Sequence, residues 1–128
     1  MRKQIVTTLI LASLSFWSYG QSTTDQIEQA FNAGSAKELI KYFNQVTEVK
    51  INDVGANYSK AQAEPLLRDF FQQNPPNSFE YIHKGNSPEG LKYNIGLYSS
   101  RSKNYRVVLL LKKVKDEYVV DTINFNED

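Results

Sequence analysis

The chain has 128 residues, with 15 basic and 14 acidic side chains, one histidine and no cysteine. A net charge of +1 gives no electrostatic reason to expect nucleic acid or an anionic membrane surface as a partner. Without cysteine there is no disulfide framework, thiolate nucleophile or thiolate metal site, so packing must hold the fold, and eight tyrosines and seven phenylalanines are there to supply it.

Arg2 and Lys3 form a basic start, Ile5 to Trp17 is mostly apolar, and Ser18-Tyr19-Gly20 puts small residues where a leader is cut. This pattern predicts a signal peptide over residues 1–20 and export to the periplasm or the exterior. The apolar run is shorter than the ~20 residues of a spanning helix, so no membrane insertion is expected once the leader is gone. No cysteine follows it to carry a lipid anchor. Residues 21–128 then make one domain, long enough for one core. Losing Arg2 and Lys3 leaves 13 basic against 14 acidic residues.

Thr24 and Asp25 are spaced to cap a short helix with Glu28 in a box-like position, and Ile27, Ala30 and Phe31 form its stripe. Gly34 ends it, and Ser35-Ala36-Lys37-Glu38 starts a second helix striped by Leu39, Ile40 and Phe43. Thr47, Val49 and Ile51 alternate with polar residues as a half-buried strand, and the turn formers of residues 53–57 follow, with Tyr58 pairing briefly. Next comes the strongest periodic signal, a helix with Ala63, Leu66, Leu67, Phe70 and Phe71 on one face. Ser59 and Gln62 are spaced as a capping box, and Asn74-Pro75-Pro76 is a hard stop. Pro65 conflicts with that helix and predicts a kinked or two-part start. Four strands remain, over residues 79–84, 91–99, 105–114 and 118–125, joined by turn-rich segments as an antiparallel meander.

Taking the most apolar alternate set of each strand as inward puts Phe79, Tyr81, His83, Leu91, Tyr93, Ile95 and Leu97 on one face. Tyr105, Val107, Leu109, Leu111, Val119, Asp121, Ile123 and Phe125 continue it. This face is apolar enough to cover the helix. The opposite face then carries Ile82, Tyr98, Val108, Leu110 and Val120, a patch that predicts a homodimer through the outer side of the sheet.

This element order resembles the nuclear transport factor 2-like fold, an α+β cone in which a curved antiparallel sheet wraps a central helix and an N-terminal helical hairpin. Tyr58-Ser59-Lys60-Ala61-Gln62-Ala63-Glu64, Asp69-Phe70-Phe71, Asn74-Pro75-Pro76, His83-Lys84-Gly85 and Tyr105-Arg106-Val107 resemble a family of small exported bacterial domains within that superfamily. That family has no assigned function, so the resemblance implies a fold and no site residues. The wider superfamily holds isomerases and dehydratases beside many binding and dimerisation domains, and fold alone does not choose among them.

Asp121 is the sharpest chemical candidate: an acid flanked by Val119 and Ile123 on the expected concave face would be poised as a general base. Tyr81, Tyr93 and Tyr105 could offer hydroxyls to a ligand, His83 would stand near the rim, and Phe70 would close the apolar floor. A single histidine makes no multi-histidine metal centre, and nothing in the sequence calls for a metal or cofactor. Lys84-Gly85-Asn86 lacks the glycine spacing and helix context of a phosphate loop. Three readings stay open. The favoured one is non-catalytic binding of a small apolar ligand or a protein partner in the concave face. The others are an isomerase- or dehydratase-like enzyme using Asp121, and a structural dimerisation module with a filled cone. The completeness of that filling separates them.

Overall fold

In a computed structural model, residues 22–128 are described, and the expected leader lies outside them. These residues form three α-helices and one six-stranded sheet, an α+β arrangement as expected. Helix α1 spans Thr23–Ala33 and is capped one turn earlier than its sequence spacing suggested: the Ser22 hydroxyl accepts from the Asp25 N–H at 3.2 Å. Gly34 ends it at φ +62°, where a side chain would be strained and would press on Pro76. Helix α2 (Ala36–Leu39) is capped by Ser35 and runs through a 3₁₀ turn at Ile40–Tyr42 directly into β1 (Phe43–Ile51).

Strand β2 (Val54–Ser59) is a full partner of β1, where the sequence suggested a loop and one pairing residue. The turn is only Asn52-Asp53, at φ +52° and +66°, the doubly left-handed geometry that Asn and Asp tolerate and that matches strand twist. Helix α3 (Lys60–Gln73) follows, then β3 (Pro76–Asn86), β4 (Lys92–Ser100), β5 (Asn104–Val114) and β6 (Glu117–Glu127). Lys115 and Asp116, both at positive φ, repeat the same tight turn between β5 and β6. The sheet order is β2-β1-β6-β5-β4-β3. The last four strands are the expected meander, while β1 joins β6 in parallel.

Both halves of the Ser59–Gln62 capping box form, so α3 is one helix from its first turn and runs through Pro65. Pro65 and Ala61 are both exposed, so water can satisfy the Ala61 carbonyl that the proline leaves unpaired. Ala63, Leu67, Phe70 and Phe71 are buried against the sheet, with Leu66 packed at the margin.

The core between helices and sheet is largely aromatic. Phe31 of α1 stacks on Phe79 of β3 at 4.2 Å and meets Phe71, Tyr98 and Phe125 edge-on at 6.1 Å. Phe70 of α3 lies 4.5 Å from Phe125 and 5.0 Å from Tyr105. Strand β3 is an edge, and α1 closes it: the Asn32 carboxamide accepts from the Phe79 N–H at 2.9 Å and donates to the Phe79 carbonyl at 3.1 Å.

Candidate functional site

Strand pairing decides which side chains face the helices, and two β-bulges upset simple alternation. On β3, Tyr81 pairs with Gly96 and His83 with Ile95, so Ile82 is an extra residue. Phe79 and Tyr81 therefore face inward, while His83 is turned to the exposed outer face. On β6, Thr122 pairs with Leu110 and Val120 with Leu111, so Asp121 is the extra residue. Val120 faces inward before this bulge and Ile123 and Phe125 after it.

The expected placement of Asp121 on the concave face is thereby corrected. Its carboxylate lies on the outer face, 3.4 Å from Lys112 Nζ, and accepts from Asn44 Nδ2 at 3.4 Å. Its side chain is 35% exposed, so the apolar enclosure that would have made it a poised base is missing. His83 and Tyr93 sit together on the same outer face, ring centroids 6.3 Å apart. Strand β4 is inverted as a whole relative to expectation. Tyr98 pairs with Tyr105 and Gly96 with Val107, so Asn94, Gly96, Tyr98 and Ser100 point inward. Tyr93, Ile95 and Leu97 point outward. Tyr98 and Val120, expected on the dimer face, are core residues.

Of the expected ligand-binding set, only Tyr81, Tyr105 and Phe70 share the concave side. Tyr105 and Phe70 are buried against each other. The Tyr81 hydroxyl donates to the Thr24 carbonyl at 2.8 Å and ties α1 to the sheet. The Tyr98 hydroxyl donates to the Asn74 carbonyl at the end of α3. Burial pushes both phenols well above the ordinary tyrosine range, with Glu28 and Asp25 adding to the effect on Tyr81 and Tyr105 to that on Tyr98. Both hydroxyls serve as structural donors, and the rings around them occupy the space a ligand would need. Gly96 shows how tight this is: a Cβ there would stand 2.3 Å from the Phe79 ring.

The sequence model of a family described as Domain of unknown function (DUF4783) matches residues 24–126. The chain belongs to this family. Solved structures agree. A DUF4783 family protein from Bacteroides uniformis is 25% identical with a TM-score of 0.78, over 84% of this chain and 98% of its own. Another from Bacteroides ovatus is 28% identical with the same TM-score of 0.78, over 85% and 98%. A nuclear transport factor 2-like protein of unknown function from Silicibacter pomeroyi shares 6% identity at a TM-score of 0.62, over 82% and 89%, which is a likeness of fold. No functionally curated protein matches the chain. The suspected family and the cone-like α+β fold are thus both found.

Sequence reasoning placed Val108 and Leu110 on an apolar outer face, but it missed the β4 side chains that join them there. Tyr93, 44% exposed, stands there with Ile95 and Leu97 of β4 and Val108 and Leu110 of β5, in paired register. The Oδ1 atom of Asn124, in register with Val108, is buried beside them without a hydrogen-bond partner among the described residues. The signal was available in the Ser100–Lys103 turn, where two bonds join Ser100 to the Lys103 carbonyl and fix the β4–β5 register.

Proposed function

We propose that this domain is an exported, non-catalytic recognition module whose working surface is the outer face of the sheet, where it pairs with a second copy of itself. One observation carries the reading. Tyr93, Ile95, Leu97, Val108 and Leu110 form an apolar island on adjacent strands, while the inward face of β4 holds Asn94, Gly96 and Ser100 around a single large ring, Tyr98. A sheet that needed only one buried face would have the reverse pattern on β4. The rim favours a like partner. Glu80 and Arg106 flank Leu97 from the neighbouring strands, and neither has an ion-pair partner among the described residues. Across a two-fold axis each could meet its opposite on the other copy, and a carboxamide could reach the orphaned Asn124 oxygen. Export rests on the leader-like pattern of residues 1–20.

Sedimentation equilibrium tests this directly. The reading expects a dimer with micromolar dissociation, and a folded monomer from Leu110→Glu, which sets a charge in the middle of the island. Lys112→Gln, at the margin, should leave association unchanged. A wild-type protein that stays monomeric at high micromolar concentration would overturn self-association, and a dimer insensitive to Leu110→Glu would place the contact elsewhere.

A further inference from the structure

The bulge that turns His83 outward has an opposite effect on the residues after it. Lys84 pairs with Asn94 and Asn86 with Lys92, so these four side chains form a cross-strand quartet on the concave side, beyond the last aromatic ring. They line a cleft of about 270 Å³ together with Ser22, Thr24 and Gly85, at the start of α1. Asn94 is only 2% exposed. Its Nδ2 reaches Thr24 Oγ1 at 3.5 Å, beyond the range of a well-formed N–H···O bond, and its Oδ1 has no partner among the described residues. The Asn94 carboxamide lines the cleft and keeps hydrogen-bonding capacity to spare for a group bound there.

The cleft is also positive. Neither Lys84 nor Lys92 has an ion-pair partner among the described residues; the ammonium of each instead lies over a ring, Tyr81 at 5.2 Å and Tyr118 at 4.3 Å. The helix start adds to this. Ser22 caps the Asp25 N–H and its carbonyl takes the Gln26 N–H, which leaves the Thr23 and Thr24 N–H groups of the first turn without helix partners. Asp25 and Glu28 of the same helix bear on the Tyr81 hydroxyl, and neither pairs with either lysine.

We propose that this cleft binds the oxyanion group, phosphate or carboxylate, of a small soluble molecule. Lys84 and Lys92 supply the charge, the Thr23 and Thr24 N–H groups donate to the oxygens, and the Asn94 carboxamide completes the pocket floor. The surface is separate from the outer sheet face, so this inference stands whether or not the domain dimerises.

The test is an amide NMR titration of the folded domain with inorganic phosphate, and in parallel with acetate, each against sodium chloride at matched ionic strength. The expected result is a saturable shift, in the millimolar range for so small a probe, confined to Thr23, Thr24, Lys84, Lys92 and Asn94. Lys92→Gln should weaken it roughly tenfold, the scale of one hydrogen bond to a charged group. Arg101→Gln, in the turn at the other end of β4, should leave it unchanged. Saturation by phosphate alone, or by both anions, identifies the oxyanion class that the cleft accepts. Shifts matched by chloride, shifts spread over all lysines, or a response that Lys92→Gln does not weaken would each overturn the assignment.

Discussion

Replacing Gly96 by alanine asks whether the inside of the cone has room. A Cβ at this position would stand 2.3 and 2.5 Å from two Phe79 ring carbons, far inside ordinary contact, so the ring must retreat by about 1 Å. It has little freedom to do so. Phe79 is buried and stacked nearly parallel on Phe31, whose other neighbours are Phe71, Tyr98 and Phe125. Overpacking of this kind costs about 1–3 kcal/mol. The alanine recovers about 0.4–1 kcal/mol by restricting the unfolded chain. The net expectation is a loss of about 1–2 kcal/mol, a fall in Tm of about 5–15 °C for a domain of this size. Thermal and urea unfolding followed by circular dichroism measure it. Phe79→Leu in the same chain should absorb part of the strain, so that the two changes together cost less than their sum. Gly96→Ala as stable as the parent, with no coupling to Phe79, would mean that the interior yields easily. The cone would then have room inside, and a ligand bound within it would again be the better reading.

Asn32→Leu removes both bonds that close the β3 edge, and a loss of about 1–3 kcal/mol is expected, with faster hydrogen exchange at the Phe79 amide as its local signature. Alkaline pH should destabilise the fold through Tyr81 and Tyr98. Their folded-state phenols hold the proton above the ordinary value, so their contribution is complete below about pH 10 and is lost as pH rises beyond it. Absorbance titration at the phenolate band should show these two ionising last, and Tyr81→Phe together with Tyr98→Phe should flatten the alkaline limb of stability against pH. Asp121→Asn breaks a partly exposed pair with Lys112 and should cost no more than about 1 kcal/mol in urea unfolding. A much larger loss would show that Asp121 is held more tightly than its position suggests.

What the sequence could and could not reveal follows from how each signal is written. Helix α3 was legible because its stripe, its Ser59–Gln62 box and its proline stop are all local, and only the effect of Pro65 depended on solvent reaching Ala61. The meander was legible because turns separate its strands. Side-chain direction was not, for two reasons. A bulge leaves no mark in an alternating pattern, yet Ile82 and Asp121 each invert everything beyond them, and so exchange His83 for Lys84 and expose the carboxylate expected inside. Strand β4 failed differently. Its apolar residues were taken as inward, but Phe79 fills the space over Gly96, and the register fixed at Ser100 sends Tyr93, Ile95 and Leu97 outward. Both errors point the same way. On β4 the inward face holds Asn94, Gly96 and Ser100 around the ring of Tyr98 while the outward face is apolar, and that outward face is the one the proposed self-association would cover. Where a bulge brings two lysines and two asparagines together past the end of a packed core, the quartet is no longer part of that core. The functional surfaces of this domain are therefore best sought at the places where alternation breaks.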